Sequence, residues 1–221
     1  MKSSLFISLL IIVAAGCKSI APTGIIRDES AVIENRGAGC QGSSPVLCLL
    51  PGSSLLFKAS IDIRTRYLSG LMLIKRLDSV PEPGYRVVFA NEVGMTFFDL
   101  EVTSGSFRVM SAFPSLNKKA LMKILATDIR ALTLFGSLEK ERYYRRIMTG
   151  DRVLSGKSGK YEVWEVWSPA GDELLSVFAG SNIADPVAVS FLNHSSRPPS
   201  SIMIENPVIG MKIGLRLLNK N

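Results

Sequence analysis

The sequence predicts a mostly β protein of the α+β class, with about eleven antiparallel strands in one curved sheet and a single helix covering its concave face. From Leu55 onward, apolar and polar side chains alternate with a period of two, which is typical of a strand with one buried and one solvent-facing side. Turns containing Gly or Pro separate further stretches of this kind. Helical spacing of apolar residues occurs in one segment, residues 115–136. A sheet of this many strands has to curl or close.

The first seventeen residues have the order of a secretory signal peptide. Lys2 precedes an apolar run from Leu5 to Ala15, which is shorter than the ~20 residues that a bilayer core requires. Small residues and Cys17 follow directly, and this arrangement resembles a bacterial lipoprotein signal, in which the cysteine is lipidated and becomes the new N-terminus. The alternative is an ordinary signal peptide followed by a chance cysteine. The resemblance implies a signal peptide over residues 1–16 and a lipid anchor on Cys17.

Residues 17–50 are predicted to be a lipidated tether and lead-in, because Gly, Pro and Ser recur there without a clear period. A short apolar stretch near Ile25 to Ile33 could pack locally. Cys40 and Cys48 bracket a short polar loop, and we expect them to form a disulfide in an exported protein. Two thiols and a single histidine make a poor metal site, so neither a metal nor another cofactor is expected.

The formal net charge of +7 favours anionic partners such as lipid head groups or an acidic protein face. The basic residues are too diffuse along the chain to predict nucleic-acid binding. The two denser clusters, Lys118-Lys119 and residues 142–146, are interpreted as solvated faces.

Residues 51–221 form the predicted folded domain. Its first half is a five-stranded meander with hairpin loops at residues 91–94 and 104–105. Its strands are predicted at residues 55–66, 71–75, 85–90, 95–102 and 106–112.

A helix is predicted after the meander. Pro114 stops the last strand, Ser115 or Asn117 could cap the helix start, and Gly136 ends it. The apolar side chains at helical spacing are those of Leu121, Ile124, Leu125, Ile129 and Leu132. We expect this face to lie on the concave side of the sheet.

Strands resume after the helix. They are predicted at residues 142–148, 161–167, 173–179, 187–192, 201–205 and 211–217. Trp164 and Trp167 have opposite parity in one of these strands, so they should face opposite sides of the sheet.

No motif predicts catalysis, and we expect the protein not to be an enzyme. Residues 156–160 read GlyLysSerGlyLys, but the preceding glycine is out of register for a phosphate loop and a strand follows, so a hairpin turn is expected. His194 has no catalytic partners by pattern, and Asp99 and Glu101 are interpreted as acids on a solvent-facing strand.

From Leu55 to Leu217, the order of elements resembles that of the LolB family of outer-membrane lipoprotein receptors and the related LolA carriers. Members of that family have a hairpin with an exposed apolar residue followed by glycine, to which residues 91–94 are similar. The ending, ProProSerSerIleMetIleGlu followed by GlyMetLysIleGlyLeuArgLeu, is also similar to the family's last strands.

The resemblance implies an unclosed half-barrel with an apolar cavity on its concave side. It further implies that the protein binds acyl chains or acylated proteins, received from a periplasmic carrier, and aids their insertion into the outer membrane. Val93 would be the residue that enters the membrane. Lys18 follows the cysteine in place of the aspartate associated with inner-membrane retention, which favours an outer-membrane anchor facing the periplasm.

Strand parity and helical spacing predict which apolar residues would face an acyl chain. They are Phe57, Ile61, Ile63, Leu71, Leu73, Phe89 and Phe97 on the sheet and Leu121, Leu125 and Leu132 on the helix. A β-rich, lipid-anchored envelope scaffold or interaction protein with a packed core and no transport role would use the same residue types. The sequence leaves both functions open.

Overall fold

The structure is a computed structural model, and it describes residues 21–33, 46–47, 49–64, 66–77, 84–133, 138–181, 187–192 and 198–220. The predictions for Cys17, Cys40, Cys48 and His194 lie outside these residues. Within them, no helix is both long enough and apolar enough to cross a membrane.

The described chain forms one open antiparallel sheet, which confirms the predicted fold class. Its strand order is β1-β7-β8-β9-β10-β11-β12-β13-β2-β3-β4-β5-β6. The thirteen strands are β1 (Ile25–Arg27), β2 (Ser54–Ile63), β3 (Arg66–Leu77), β4 (Gly84–Ala90), β5 (Thr96–Thr103), β6 (Phe107–Ala112), β7 (Glu139–Arg146), β8 (Arg152–Ser158), β9 (Tyr161–Trp167), β10 (Leu174–Gly180), β11 (Val187–Leu192), β12 (Ser201–Asn206) and β13 (Met211–Lys220).

The sheet has two strands that the sequence did not predict, β1 and β8. In β8, Gly156 and the surrounding small residues interrupt the alternation of apolar and polar residues. Glycine is required there because a Cβ on Gly156 would lie 2.7 Å from the Cβ of Leu138. The predicted hairpin turn follows β8, since Ser158 pairs with Tyr161 and Gly159 has a φ of 58°.

The single helix, α1 (Lys119–Thr133), lies inside the curve of the sheet. It contacts β5 and β6 on one side and β10 and β11 on the other. In the sheet, β12, β13, β2, β3 and β4 lie between those two pairs of strands, so the sheet must bend around the helix. This arrangement confirms the predicted covering helix on the concave face.

Arg130 of α1 helps to hold the two limbs of the curved sheet together. Its guanidinium donates to the carbonyl oxygens of Thr103 and Ser106 at the β5–β6 turn, at 2.8 and 2.6 Å. It also donates to the hydroxyl of Tyr161 in β9 at 3.4 Å.

The concave face and α1 share one apolar core. On the convex face, Trp164 packs in a second, smaller cluster with Val153, Val166 and Ile25, whereas Trp167 is buried in the main core. The prediction that the two tryptophans face opposite sides is therefore confirmed.

The prediction that Leu71 and Leu73 face the concave side is wrong. Ile63 and Arg66 pair across a turn that leaves two residues between them, so each odd-numbered residue of β2 faces an even-numbered residue of β3. Met72 and Ile74 therefore occupy the concave face and are buried there. Leu71 and Leu73 lie on the convex face and are half-buried.

The described part of residues 17–50 packs on the domain instead of hanging from it as a tether. β1 pairs with β7, and the buried residues of this part include Ala31, Ile33, Val46, Leu47 and Leu49. The Leu47 amide donates to the carbonyl of Leu132 at the end of α1, at 3.2 Å. The folded body thus begins before residue 51.

Candidate functional site

A groove of about 400 Å³ opens where the first turns of α1 meet the β2–β3 and β12–β13 turns. Because β13 pairs with β2, these two turns lie side by side at one end of the sheet. The apolar surface of the groove is formed by Ile63, Leu116, Leu121, Ile124 and Ile209, together with Ala120. Its volume lies within the ~300–1,000 Å³ typical of small-molecule sites.

Three cationic residues, Arg64, Arg66 and Lys118, line the same groove. Among the described residues that line it there is no carboxylate. The N-terminus of α1 also points its partial positive charge toward this end. The groove therefore combines an apolar surface with a positively charged rim, which suits an amphiphile with an anionic head group.

Arg64 has a left-handed backbone, with a φ of 57°. Its Nε donates to the carbonyl of Ile209 at 3.2 Å, and its amide donates to the carbonyl of Gly210 at 3.5 Å. A non-glycine residue in this region costs about 1–3 kcal/mol and persists where neighbouring structure fixes it, often at a functional site. The bonds to the β12–β13 turn fix Arg64 at the rim.

Of the ten predicted ligand-binding residues, Ile63 and Leu121 line the groove. Six others are packed in the core that α1 shares with the concave face of the sheet. They are Phe57, Ile61, Phe89, Phe97, Leu125 and Leu132. The Phe97 and Phe98 rings lie 5.0 and 5.5 Å from that of Phe89, which shows how closely this region is filled.

Sequence reasoning missed the three rim cations and the apolar contributions of Leu116 and Ile209. The signal that could have found them is the position of their segments: two hairpin turns and a helix start, each at an element boundary. The pairing of β13 with β2 decides which of these boundaries meet in space. It brings together segments that lie far apart along the chain.

Val93 lies at the tip of the β4–β5 hairpin and is almost fully exposed. The Asn91 side-chain oxygen accepts hydrogen bonds from the amides of Val93 and Met95, at 3.2 and 2.8 Å, and Gly94 takes a φ of 88°. The turn is thus held by local bonds while Val93 points away. The β4–β5 and β2–β3 turns lie at the same end of neighbouring strands, so Val93 and the groove share that end of the sheet.

Asp128 of α1 is fully buried beside Asn206 at the end of β12. The Asn206 Nδ2 donates to Asp128 Oδ1 at 3.4 Å, whereas Asp128 Oδ2 and Asn206 Oδ1 have no hydrogen-bond partner among the described residues. Burial raises the pKa of the Asp128 carboxyl to about 8, against the smaller effect of the Asn206 hydrogen bond. This carboxyl is therefore mostly protonated at neutral pH.

Asp99 and Glu101 do not form a paired acid site. Arg86 donates twice to Asp99, at 3.0 and 2.7 Å, and Arg108 holds Glu101. Groups of three or more His, Cys, Asp or Glu side chains that could hold a metal ion do not occur in the described part of the chain.

No family model and no curated protein matches this chain. Among solved structures, a DUF1329 family protein from Desulfovibrio piger is similar, with a TM-score of 0.49 and 11% identity over 77% of this chain and 85% of the other. A domain from Vibrio parahaemolyticus, named as a candidate outer membrane lipoprotein-sorting protein, has a TM-score of 0.43 and 12% identity over 76% of this chain and 84% of its own. Similarities at this level do not identify the family of the chain.

Proposed function

We propose that this protein is a lipid-anchored protein of the bacterial envelope that binds acyl-bearing amphiphiles in the groove at the start of α1. The observation that carries the proposal is the groove itself, with its apolar surface and its rim of Arg64, Arg66 and Lys118. The acyl chain would lie against the apolar surface. The anionic head group would face the three cations.

The apolar surface would supply most of the affinity. Burying about eight methylene groups contributes about 6 kcal/mol, at ~0.8 kcal/mol each. The rim cations are solvent-accessible, and ionic contacts of this kind contribute about 0–1 kcal/mol. They would set the direction in which an amphiphile enters, and the groove would accept various anionic head groups.

The two ends of α1 differ in how they are held. The second half contains buried Ile129, Ala131 and Leu132 and the bonds of Arg130. The first half presents half-buried Leu121 and Ile124 to the groove. These two side chains would turn aside for a longer acyl chain, while buried Met122 and Leu125 keep the first half of the helix in the core.

The proposed protein would act at the surface of the outer membrane. A lipid on Cys17 would anchor the protein in the outer membrane, facing the periplasm, and exposed Val93 would enter the head-group layer near the groove. Acylated proteins delivered by a periplasmic carrier would be the cargo. Binding and transfer need no bond-making chemistry, so the proposal is for a binding protein and not for an enzyme.

Displacement of a fluorescent fatty acid from the body lacking its lipid anchor tests the groove. Leu121→Gln should raise the dissociation constant about tenfold, because it places an amide in the apolar surface. Leu71→Gln is the matched control, since Leu71 is also half-buried but lies on the convex face. It should leave the dissociation constant within about twofold.

Two results would count against the proposal. Equal weakening by both substitutions would place binding outside the groove. Absence of saturable binding to the unaltered body would favour the packed scaffold, which the closely filled core beneath α1 also fits.

A further inference from the structure

A second exposed apolar tip lies at the β7–β8 turn, in a part of the sheet remote in strand order from Val93. Ile147 and Met148 are 64% and 92% exposed, and Ile26 of β1 is 52% exposed. Single exposed apolar residues are ordinary on protein surfaces. Contiguous exposed apolar patches, by contrast, mark interaction or membrane-contact surfaces.

The pairing of β1 with β7 brings these side chains together. Ile26 faces Arg145, and the Ile147 amide donates to the Gly24 carbonyl at 3.0 Å, so the pairing continues past the strand end. Ile26 and Ile147 therefore occupy diagonal positions on one face of the pair, within reach of each other. Met148 follows at the tip.

The β7–β8 turn is held in place by its own hydrogen bonds. The Gly150 amide donates to the Arg146 carbonyl at 3.0 Å, with a φ of 75° at Gly150. The Thr149 hydroxyl donates to Asp151 at 2.6 Å. Ile147 and Met148 take no part in these side-chain bonds, so the turn presents their side chains to whatever lies outside it.

The position of Cys17 indicates what lies outside. Cys17 precedes Ala21 by four residues, and four residues span at most about 14 Å. Ala21 and Ile25 pack against the convex-face cluster of Trp164, and β1 is fixed to β7. If Cys17 carries the lipid anchor of the proposed function, on which this step rests, the bilayer surface lies close to β1 and the β7–β8 turn.

The polar residues around the tip fit the same surroundings. Arg145 and Arg146 directly precede the tip and are partly exposed, while each also contacts one carboxylate, Asp28 at 2.7 Å and Asp151 at 3.4 Å. Next to a bilayer surface, arginine side chains keep their guanidinium groups among the lipid phosphates while their aliphatic stems lie on apolar surface.

We propose that the β7–β8 turn is a membrane-contact site: Ile147 and Met148 enter the head-group layer of an anionic bilayer beside the anchor and fix the orientation of the folded body. The antiparallel strand order places this turn at the end of the sheet opposite to the groove and Val93, so the turn and Val93 would contact the bilayer in two different orientations of the folded body. The contact of the turn requires no bound amphiphile.

Methionine oxidation of the lipidated full chain tests the contact without any substitution. The protein is reconstituted on vesicles of phosphatidylethanolamine and phosphatidylglycerol, sedimented with them, exposed to hydrogen peroxide and analysed residue by residue by mass spectrometry. Solvent-exposed methionines become sulfoxides. Met110 of edge strand β6 is 45% exposed and serves as the internal control.

In solvent, Met148 should oxidise faster than Met110, because it is about twice as exposed. On the vesicles, we expect the order to be reversed, with Met148 at least about threefold slower than Met110. Sedimentation of the protein with Met148 oxidised as fast as or faster than Met110 would overturn the contact alone. Failure of the chain to sediment with the vesicles would overturn the anchor and the contact together. A protein that binds no fatty acid should still show Met148 oxidising more slowly than Met110 on the vesicles, so failure of the groove and failure of the contact are distinguishable.

Discussion

At the scale of single residues, Asp128 is the most unusual group in the described chain. It lies on the helix, is fully buried, and its pKa is raised to about 8 by burial. The sequence pattern gave it no role, because an acid within an amphipathic helix is usually placed on the solvent side. Here it faces Asn206 and joins α1 to the end of β12.

Asp128 should make the protein less stable as the pH rises. Below about pH 4 both the folded and unfolded states hold the proton, whereas between about pH 4 and pH 8 only the folded state does. Unfolding then releases a proton, so the free energy of unfolding falls by up to about 1 kcal/mol per pH unit in this window. Above about pH 8 the contribution is lost.

Asp128→Asn removes this dependence, and urea unfolding of both proteins at about pH 5 and about pH 8 measures it. The stability of the variant relative to the unaltered protein should increase from the lower to the higher pH. The contributions of other titratable groups to the pH dependence are the same in both proteins and cancel in this comparison. Parallel losses of stability in the two proteins would show that Asp128 does not titrate in this range.

At the scale of elements, the period of the apolar residues predicted the helix and most strands correctly. It failed at β8, where the close approach of Leu138 requires Gly156. It also failed at β3, because the turn after Ile63 places even-numbered residues of β3 on the face that odd-numbered residues of β2 occupy. Helix capping was also not predictable. The Lys118 carbonyl accepts the first helical bond, from Met122, so neither Ser115 nor Asn117 takes the cap position.

Gly70→Ala should weaken the pairing of β3 with β4. An added Cβ would overlap the carbonyl oxygen of Ala90, which belongs to the backbone and cannot move without disturbing the strand. We expect a loss of about 1–3 kcal/mol in the free energy of unfolding. Gly105→Ala is the control, because nothing lies within 4 Å of its added Cβ. A similar small effect of both substitutions in chemical unfolding would refute this account of Gly70.

At the scale of the whole molecule, the sequence predicted a curved sheet around a helix but not the place of the groove. The six core residues named earlier and the groove residues Ile63 and Leu121 have the same apolar character, and sequence alone cannot tell a filled interior from an open one. The difference arises where the β2–β3 turn, the β12–β13 turn and the start of α1 meet, and that meeting depends on long-range pairing.

The anchor is tested by Cys17→Ser, which removes the sulfur atom that is predicted to carry the lipid. We expect the variant to lose incorporation of labelled palmitate and to leave the membrane fraction. Thermal unfolding of its soluble body should be unchanged. Equal palmitate incorporation in the variant and the unaltered chain would eliminate Cys17 as the lipidation site.

The proposed function requires an acyl chain to lie in the groove at the start of α1. Photocrosslinking with a fatty acid that carries a diazirine near its tail, followed by mass spectrometry, identifies the residues that the chain contacts. We expect the labelled residues to be Ile63, Leu121, Ile124 or Ile209, and we expect an excess of unlabelled fatty acid to suppress the labelling. Labelling centred on the convex-face residues Leu71 and Leu73, or labelling that competitor does not reduce, would contradict the proposed function.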